Sequence, residues 1–198
     1  MNTPAILGLG EPMIEFNQTE PGQRNFLQGF GGDTSNAIIA CARQGAPCGY
    51  ITRLGDDEFG RMLLGLWQAE AVDARGVVLD PAAHTAVYFV THGAQGHSFS
   101  YLRRDSAASR MRADDLPRAL IEGARTLHVS GISQAISASA CDTVQAAIAI
   151  ARAAGASCVG VGNTLFSAAA LAKRDQKALV EEAKMLLSLL SLVPRRKP

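Results

Sequence analysis

The stretch from residue 29 to residue 36 places glycines and small polar side chains directly before an apolar helical run. Its sequence is Gly29-Phe30-Gly31-Gly32-Asp33-Thr34-Ser35-Asn36. Glycine permits close approach of the backbone, and Asp, Thr, Ser and Asn cap helices well. Backbone N–H groups and a polar rim should therefore point into one space at a helix N-terminus, where they could hold a small polar ligand.

The segments on either side of this turn predict one unit of a parallel α/β fold. Residues 5–10 form a continuous apolar run, which is typical of a buried strand. Residues 35–44 carry apolar side chains three and four positions apart and are followed by Gly45, which predicts a helix. Residues 48–52 predict the next strand, so the order implies a right-handed parallel crossover.

A second helix is predicted after a loop with adjacent acidic residues. Asp56 and Asp57 stand directly before an apolar stripe at helical spacing. Helix capping is the favoured interpretation of these carboxylates, and a direct ligand role is the alternative. The stripe consists of Phe59, Met62, Leu63, Leu66 and Trp67. Trp67 is predicted to lie in the core rather than to form a stacking surface.

Two β-rich runs interrupt the α/β pattern. Residues 85–91 and 97–103 flank a glycine-containing turn, which predicts an antiparallel hairpin. A hairpin of this kind can close over a ligand and exclude water. Tyr88 and Tyr101 have two interpretations, contact with a ligand or pairing with each other across the strands.

The remainder of the chain returns to alternating helices and strands. The expected elements are a helix at 114–124, a strand at 126–132, a helix at 139–154, a strand at 157–161 and a helical stretch at 168–192. His128 lies inside an apolar strand, so a core histidine is favoured over a catalytic one.

Composition argues against several classes of partner. The formal net charge is +1 and the basic residues are scattered, so neither nucleic acid nor a membrane surface is expected as a partner. The cysteines Cys41, Cys48, Cys141 and Cys158 lack metal-ligand spacing and are expected to be reduced core residues. The absence of a recognisable secretory signal or membrane-spanning run predicts a soluble, cytoplasmic protein.

The first strand suggests one other class, the nucleotide-binding redox proteins. Gly8 and Gly10 match the first two positions of a dinucleotide fingerprint. The third glycine is missing, and Pro12 stands where the helix should begin. This alternative is therefore disfavoured.

The residues around the glycine turn resemble a known family. Residues 31–36, the helix before Gly45 and residues 49–60 closely resemble the first signature region of the ribokinase-like PfkB carbohydrate kinases. Other segments look like the branch of that family that phosphorylates 2-keto-3-deoxygluconate. These segments are Gly10-Glu11-Pro12, the strand with Tyr88, Tyr101-x-Arg103 followed by Ser106-Ala107, and residues 127–132. The resemblance extends from about residue 5 to about residue 157.

The resemblance implies a fold and a set of site residues. The implied fold is an α/β ribokinase-like sandwich with a mainly parallel central sheet and a small antiparallel β lid, whose strands lie at about residues 10–30 and 85–104. The implied substrate-binding residues are Gly31, Gly32, Asn36, Tyr88, Tyr101 and Arg103. Tyr101 and Arg103 would bind the carboxylate of a sugar acid, since a guanidinium matches a carboxylate in charge and geometry.

The resemblance also implies a reaction, the transfer of the γ-phosphoryl group of ATP, with Mg²⁺, to a sugar hydroxyl. Association between copies through the β lid is a further expectation. Where the family has Asp-x-Asn-x-Arg, this sequence keeps only Asn163, which is the implied nucleotide-side residue. The sequence contains no counterpart of the family's Gly-Ala-Gly-Asp region, so no catalytic residue is assigned.

These departures lead to a hypothesis about domain organisation. Residues 1–158 are expected to be the N-terminal part of a carbohydrate kinase domain that is cut short, and residues 159–198 a divergent helical tail. A kinase without a base or a nucleotide site should lose several orders of magnitude in rate. The alternative function is a non-catalytic fragment that binds the sugar acid or pairs with another subunit.

Overall fold

The computed structural model describes residues 3–155 and, further along the chain, residues 176, 177, 180, 181 and 184. The chain divides into two units, Met1–Ala154 and Gly155–Pro198. The described residues of the second unit from 176 onward are helical, and Lys184 Nζ lies 2.9 Å from Glu181 Oε1. Asn163, the predicted strand at 157–161 and most of the predicted helix at 168–192 lie outside the described residues.

The first unit contains alternating strands and helices. The strands are β1 (Ile6–Leu9), β2 (Met13–Gln18), β3 (Phe26–Gly31), β4 (Cys48–Gly55), β5 (Asp73–Asp80), β6 (Val87–Gly93), β7 (Gly96–Leu102) and β8 (Thr126–His128). The α-helices are α1 (Asp33–Arg43), α2 (Glu58–Ala69), α3 (Arg118–Gly123), α4 (Gly131–Ala135) and α5 (Ala138–Ala153). Short 3-10 turns cover Ala108–Arg110 and Ala113–Asp115.

The central sheet has the order β5-β4-β1-β8, and its strands are parallel. Successive residues of a strand point to opposite faces of the sheet, so the strands contribute apolar side chains to both. Helices cover both faces. On one side Tyr50 of β4 packs in a cluster with Trp67 of α2 and with α1. On the other side Ile51 packs in a cluster with Val144 of α5 and with α3. The predicted strand–helix–strand unit is thus confirmed.

The second sheet has the order β3-β2-β6-β7. The predicted hairpin is confirmed: β6 pairs with β7 in antiparallel register, with Tyr88 opposite Tyr101. β2 and β3 form another antiparallel hairpin. The two hairpins join through β2 and β6, which are parallel, so the sheet as a whole is mixed. One of its faces packs on the core, where the rings of Phe16 and Phe89 stack 5.2 Å apart.

Two predicted elements are shorter in the structure than the sequence suggested. The strand expected at 126–132 ends at His128, because the hydroxyl of Ser130 accepts a hydrogen bond from the Ser133 amide at 3.1 Å and starts α4. The helix expected at 114–124 is split by Pro117, which disfavours a helical backbone at the residue before it. Strand β5 was missed by the sequence patterns.

The predicted core position of Trp67 is confirmed, since its side chain is fully buried. Cys41, Cys48 and Cys141 are free thiols, but only Cys48 of these three is buried in the core. His128 is only half-buried in β8, so it is not a fully buried core residue as predicted. Within the described part of the chain, no helix has the length and apolar character needed to cross a membrane.

Candidate functional site

The glycine turn lies between the second sheet and the first helix. Gly31 ends β3, and Gly32 is the N-cap residue of α1 with φ of +106°. A Cβ at Gly32 would lie 2.6 Å from the carbonyl oxygen of Glu11 and 2.8 Å from the Cα of Pro12. A side chain there would be strained and would collide with backbone, so only glycine allows this close approach. The turn is therefore held directly against the segment that follows β1.

The polar residues after the glycines point into the fold and not into an open site. Thr34 and Ser35 are buried. The Thr34 hydroxyl lies 2.5 Å from the Tyr50 hydroxyl, and the indole N–H of Trp67 donates to Ser35 Oγ at 3.1 Å. The expectation that the whole polar rim faces a ligand is therefore wrong for these two residues. Their role is to anchor the first turn of α1 to the core.

Tyr88 joins the second sheet to the glycine turn. A Cβ at Gly31 would lie 2.5 Å from the Tyr88 hydroxyl, so the phenol fits only against a glycine. That hydroxyl donates a hydrogen bond to Glu15 Oε2 on β2. The Tyr88 and Tyr101 rings stack with centroids 5.7 Å apart. The cross-strand pairing of Tyr88 and Tyr101 is thus confirmed, and Tyr88 also reaches the glycine turn.

Arg103 follows β7 and forms an ion pair with a buried carboxylate. Its Nη2 lies 2.5 Å from Oε2 of Glu11, whose side chain is only 2% exposed. The guanidinium carbon lies 5.6 Å from the centre of the Tyr101 ring, within the range of a cation–π contact. The Ser106 hydroxyl donates to Glu11 Oε1 at 3.0 Å. The arginine expected to bind a ligand carboxylate is therefore paired with a carboxylate of the protein.

This ion pair is in charge contact but is poorly hydrogen-bonded. Arg103 Nε and Nη2 and Glu11 Oε2 are buried and make no contact with hydrogen-bond geometry, although Nη2 lies 2.5 Å from Oε2. Burial raises the pKa of Glu11, against the opposing effects of the Arg103 charge and the Ser106 hydrogen bond. A buried polar atom without a partner is costly, so this contact is not at its optimum geometry.

A cavity of about 480 Å³ opens beside Arg103. We call it the Arg103 cavity. It is lined by Arg103, Arg104, Asp105, Ser109, Arg110, Ile132, Ala135, Ile136 and Ser137. This lining contains three arginines and one acidic residue, so its charge favours an anionic ligand. Its hydroxyl groups and apolar side chains are suited to a small polar molecule with a carbon skeleton.

The structure brings most of the predicted substrate-binding residues into one chain of contacts. The contacts run from Gly31 to Tyr88, from Tyr88 to Tyr101 and from Tyr101 to Arg103. Gly32 packs against the backbone of Glu11 and Pro12. Asn36 is placed differently. Its side chain is exposed and lines a second cavity of about 460 Å³, together with Phe30, Ile39, Ala40, Arg43, Gln44 and Leu66. It is not among the residues that line the Arg103 cavity.

Sequence reasoning assigned no role to Glu11, Glu15 or Ser106. Each of them contacts a predicted site residue. The available signal for Glu11 was a carboxylate placed between a glycine and a proline directly after a buried strand. Nothing local to Glu15 or Ser106 indicated their partners, because those partners are distant in sequence.

The described residues offer no ready-made cluster of metal ligands. In the part of the chain that the structure describes, no group of three or more His, Cys, Asp or Glu side chains could hold a metal. Asp57 caps α2 by accepting a hydrogen bond from the Gly60 amide at 2.7 Å. This confirms the capping interpretation of Asp57. Asn163 lies outside the described residues.

The first unit combines a parallel α/β core with a second, mixed sheet, and it has a polar cavity lined by arginines. The chain belongs to the pfkB family of carbohydrate kinases, whose model matches residues 5–186. This match continues past residue 158, where the sequence analysis placed the end of the kinase-like part. Proteins of this family are phosphotransferases that act on sugars, and the sequence-based assignment to the family is confirmed.

Two curated relatives that the chain resembles are named for different sugars. The chain is 38% identical over 143 residues to 2-dehydro-3-deoxygluconokinase of Thermoproteus tenax, a match that covers 69% of this chain and 44% of the relative. It is 37% identical over 138 residues to probable fructokinase-2 of Arabidopsis thaliana, covering 67% and 42%. The chain therefore spans less than half the length of these curated relatives.

Solved structures support the same fold. A PfkB protein from Polaromonas sp. JS666 matches with a TM-score of 0.73 and 33% identity, covering 77% of this chain and 53% of that one. A putative ribokinase II from E. coli, in complex with ATP and Mg²⁺, matches with a TM-score of 0.70 and 25% identity, covering 77% and 50%. ATP and Mg²⁺ are thus cofactors within the family.

Proposed function

We propose that this chain supplies the sugar-binding part of a carbohydrate kinase and that its substrate is a sugar acid, 2-keto-3-deoxygluconate or a close relative. The observation that carries the proposal is the position of Arg103, which stacks on Tyr101 and lines the Arg103 cavity with two further arginines. A guanidinium binds a carboxylate through charge-assisted hydrogen bonds, which a neutral sugar cannot form.

The remaining contacts support binding of sugar hydroxyl groups. Tyr88 carries a hydroxyl next to the glycine turn, and this hydroxyl is oriented by the hydrogen bond that it donates to Glu15. Ser109 and Ser137 add hydroxyls to the cavity wall. These three hydroxyls already donate to Glu15, Ser106 O and Ser109 O, so their oxygens would accept hydrogen bonds from the hydroxyls of a sugar. The chain thus offers a charged end and a neutral polar region, which is the polarity of a sugar acid.

In the whole reaction, ATP with Mg²⁺ would supply the phosphoryl group that is transferred to a sugar hydroxyl. We assign no catalytic base and no nucleotide-binding residue within residues 3–155. The contribution proposed for these residues is to bind and orient the sugar and to exclude water around it.

Calorimetric titration with 2-keto-3-deoxygluconate and with fructose tests this proposal. Replacing Arg103 with Ala should weaken binding of the sugar acid by about 10- to 100-fold, the value of a hydrogen bond to a charged group, and should affect fructose much less. Arg61→Ala is the matched control, since Arg61 is an exposed arginine on α2. Equal losses for both sugars would contradict the assignment of the carboxylate to Arg103.

A second candidate function is subunit pairing without catalysis, and exposed apolar residues on the second sheet favour it. Leu27 is 69% exposed, Phe99 54% and Leu102 58%. Apolar side chains of this size on one sheet are typical of an interaction surface. Phosphotransfer from ATP, measured beside the titration, separates the two functions. Binding without turnover, together with a dimer in sedimentation, would favour pairing; normal turnover would favour the kinase.

A further inference from the structure

Glu11 is a buried carboxylate that the function proposed above does not use. It stands directly after β1, and its side chain is only 2% exposed. The charged and hydrogen-bonding groups that influence it are the Arg103 guanidinium at 2.5 Å, the Ser106 hydroxyl at 3.0 Å and the negative charge of Asp33 at the start of α1. Tyr50 also lies close enough for its phenol to be influenced by the charge of Glu11. Arg103 is thus the cation on which the ionised form of Glu11 depends.

Arg103 also faces the cavity where the sugar acid is proposed to bind. Its side chain is 26% exposed, lines the Arg103 cavity and lies over the Tyr101 ring. Its buried atoms Nε and Nη2 make no hydrogen bond with Glu11 despite the close charge contact. The contacts that hold Arg103 are thus the charge of Glu11 and the Tyr101 ring, and the exposed part of its side chain can meet an acceptor in the cavity.

We propose that binding of a sugar acid at Arg103 is coupled to the uptake of one proton by Glu11. This inference rests on the proposed function, because it requires the ligand carboxylate to engage Arg103. A ligand carboxylate that binds Arg103 competes with Glu11 for the one cation that Glu11 contacts. Glu11 is then a buried carboxylate without its counter-charge, which costs several kcal/mol unless the group is protonated.

Glu11 is the carboxylate that takes the proton. The ligand carboxylate retains access to Arg104 and Arg110 in the cavity, whereas Glu11 is enclosed and lies near Asp33. The proton comes from solvent and forms an O–H bond on the Glu11 carboxyl group, so the group of Glu11, Arg103 and ligand becomes neutral overall. Burial already raises the pKa of Glu11 before any ligand binds. The neutral carboxyl can then donate its own hydrogen bond.

This coupling makes Glu11 a positioning residue that makes the affinity for acidic sugars depend on pH and leaves the affinity for neutral sugars unchanged. Without a ligand, its charge holds Arg103 at the edge of the cavity. With a sugar acid bound, its protonation releases Arg103 to the ligand. A neutral sugar leaves the Glu11–Arg103 pair intact and takes up no proton.

The test is calorimetric titration of the full chain with 2-keto-3-deoxygluconate in two buffers of different ionisation enthalpy at the same pH. We expect uptake of up to about one proton per ligand, and affinity that rises by up to about tenfold for each unit of pH decrease. The working range is about pH 5 to about pH 8, where the ligand carboxylate stays ionised. Fructose, as the neutral probe, should show no proton uptake.

Two variants sharpen the test. Glu11→Gln keeps the shape and cannot titrate, so it should abolish both the proton uptake and the pH dependence of affinity. Glu58→Gln removes an exposed carboxylate at the start of α2 and should behave as the unmodified chain does. The buffer comparison on the unmodified chain decides the question even where Glu11→Gln fails to fold.

The outcomes separate this inference from the function on which it rests. Binding of the sugar acid without proton uptake, or uptake that persists in Glu11→Gln, would overturn the coupling and leave the proposed function standing. An absence of sugar-acid binding by a folded chain would overturn both.

Discussion

The buried hydroxyl pair of Thr34 and Tyr50 gives a sharp prediction about how the glycine turn is held. The two oxygens lie 2.5 Å apart, and both side chains are 0% exposed. Burial raises the pKa of Tyr50, against the effect of its hydrogen bond with Thr34, so the phenol stays neutral. Each hydroxyl is the hydrogen-bond partner of the other, and the contact joins the first turn of α1 to β4.

The expected cost follows from leaving one hydroxyl buried without its partner. Thr34→Val or Tyr50→Phe alone should lower the free energy of unfolding by about 1–3 kcal/mol. The double variant removes both polar groups at nearly constant shape, so its loss should be smaller than the sum of the single losses by about 1–3 kcal/mol. For a chain of this size, each kcal/mol corresponds to about 2–4 °C in Tm.

Urea unfolding followed by tryptophan fluorescence measures these losses. Trp67 is the only tryptophan of the sequence and lies with its ring 4.8 Å from that of Tyr50, so it reports directly on this region. Tyr101→Phe combined with Thr34→Val is the control, because Tyr101 is 49% exposed and its loss should simply add. Additive losses for Thr34→Val and Tyr50→Phe, within about 0.5 kcal/mol, would refute the hydrogen bond.

Two further predictions concern the glycine turn and the cap of α2. Gly31→Ala should displace the Tyr88 ring, since a Cβ would lie 2.5 Å from its hydroxyl. The variant should lose about 1–3 kcal/mol of unfolding free energy in thermal denaturation and should bind sugar more weakly. An unchanged Tm would contradict the contact. Burial opposes ionisation of Asp57, but hydrogen bonds from the Thr85 and Gly60 amides hold its pKa below the usual value. The ionised form of Asp57 therefore contributes stability that is present above about pH 4 and is lost as the pH falls. Asp57→Asn should make the free energy of unfolding depend less steeply on pH in this range. An equally steep dependence in the variant would contradict the role of Asp57.

Short-range patterns predicted much of the fold. The alternation of apolar runs and glycines predicted β1, β4 and the helix between them, and the glycine-containing turn predicted the β6–β7 hairpin. The capping role of Asp57 was also predictable, because a cap depends on neighbours within one helical turn. The patterns failed for β5, whose sequence Asp73-Ala-Arg-Gly-Val-Val-Leu-Asp80 mixes charged and apolar residues without a clear period.

The sequence by itself determined the family, the parallel α/β core and the identity of most residues that surround the glycine turn. These follow from local spacing and from a signature contained in a continuous stretch. Only the tertiary structure decided which way those residues face. Thr34 and Ser35 turn inward because β4 and α2 supply buried partners, whereas Asn36 remains at the surface.

The tertiary structure also decided the electrostatics of the site. Ser106 meets Glu11 across 95 positions of sequence, and Arg103 reaches the same carboxylate from the end of β7. Such a contact depends on how β1 and the second sheet are placed in space, and no pattern around Glu11 or Arg103 encodes it. The sequence identified an arginine suited to a carboxylate; the fold determined that a buried carboxylate of the protein already holds it.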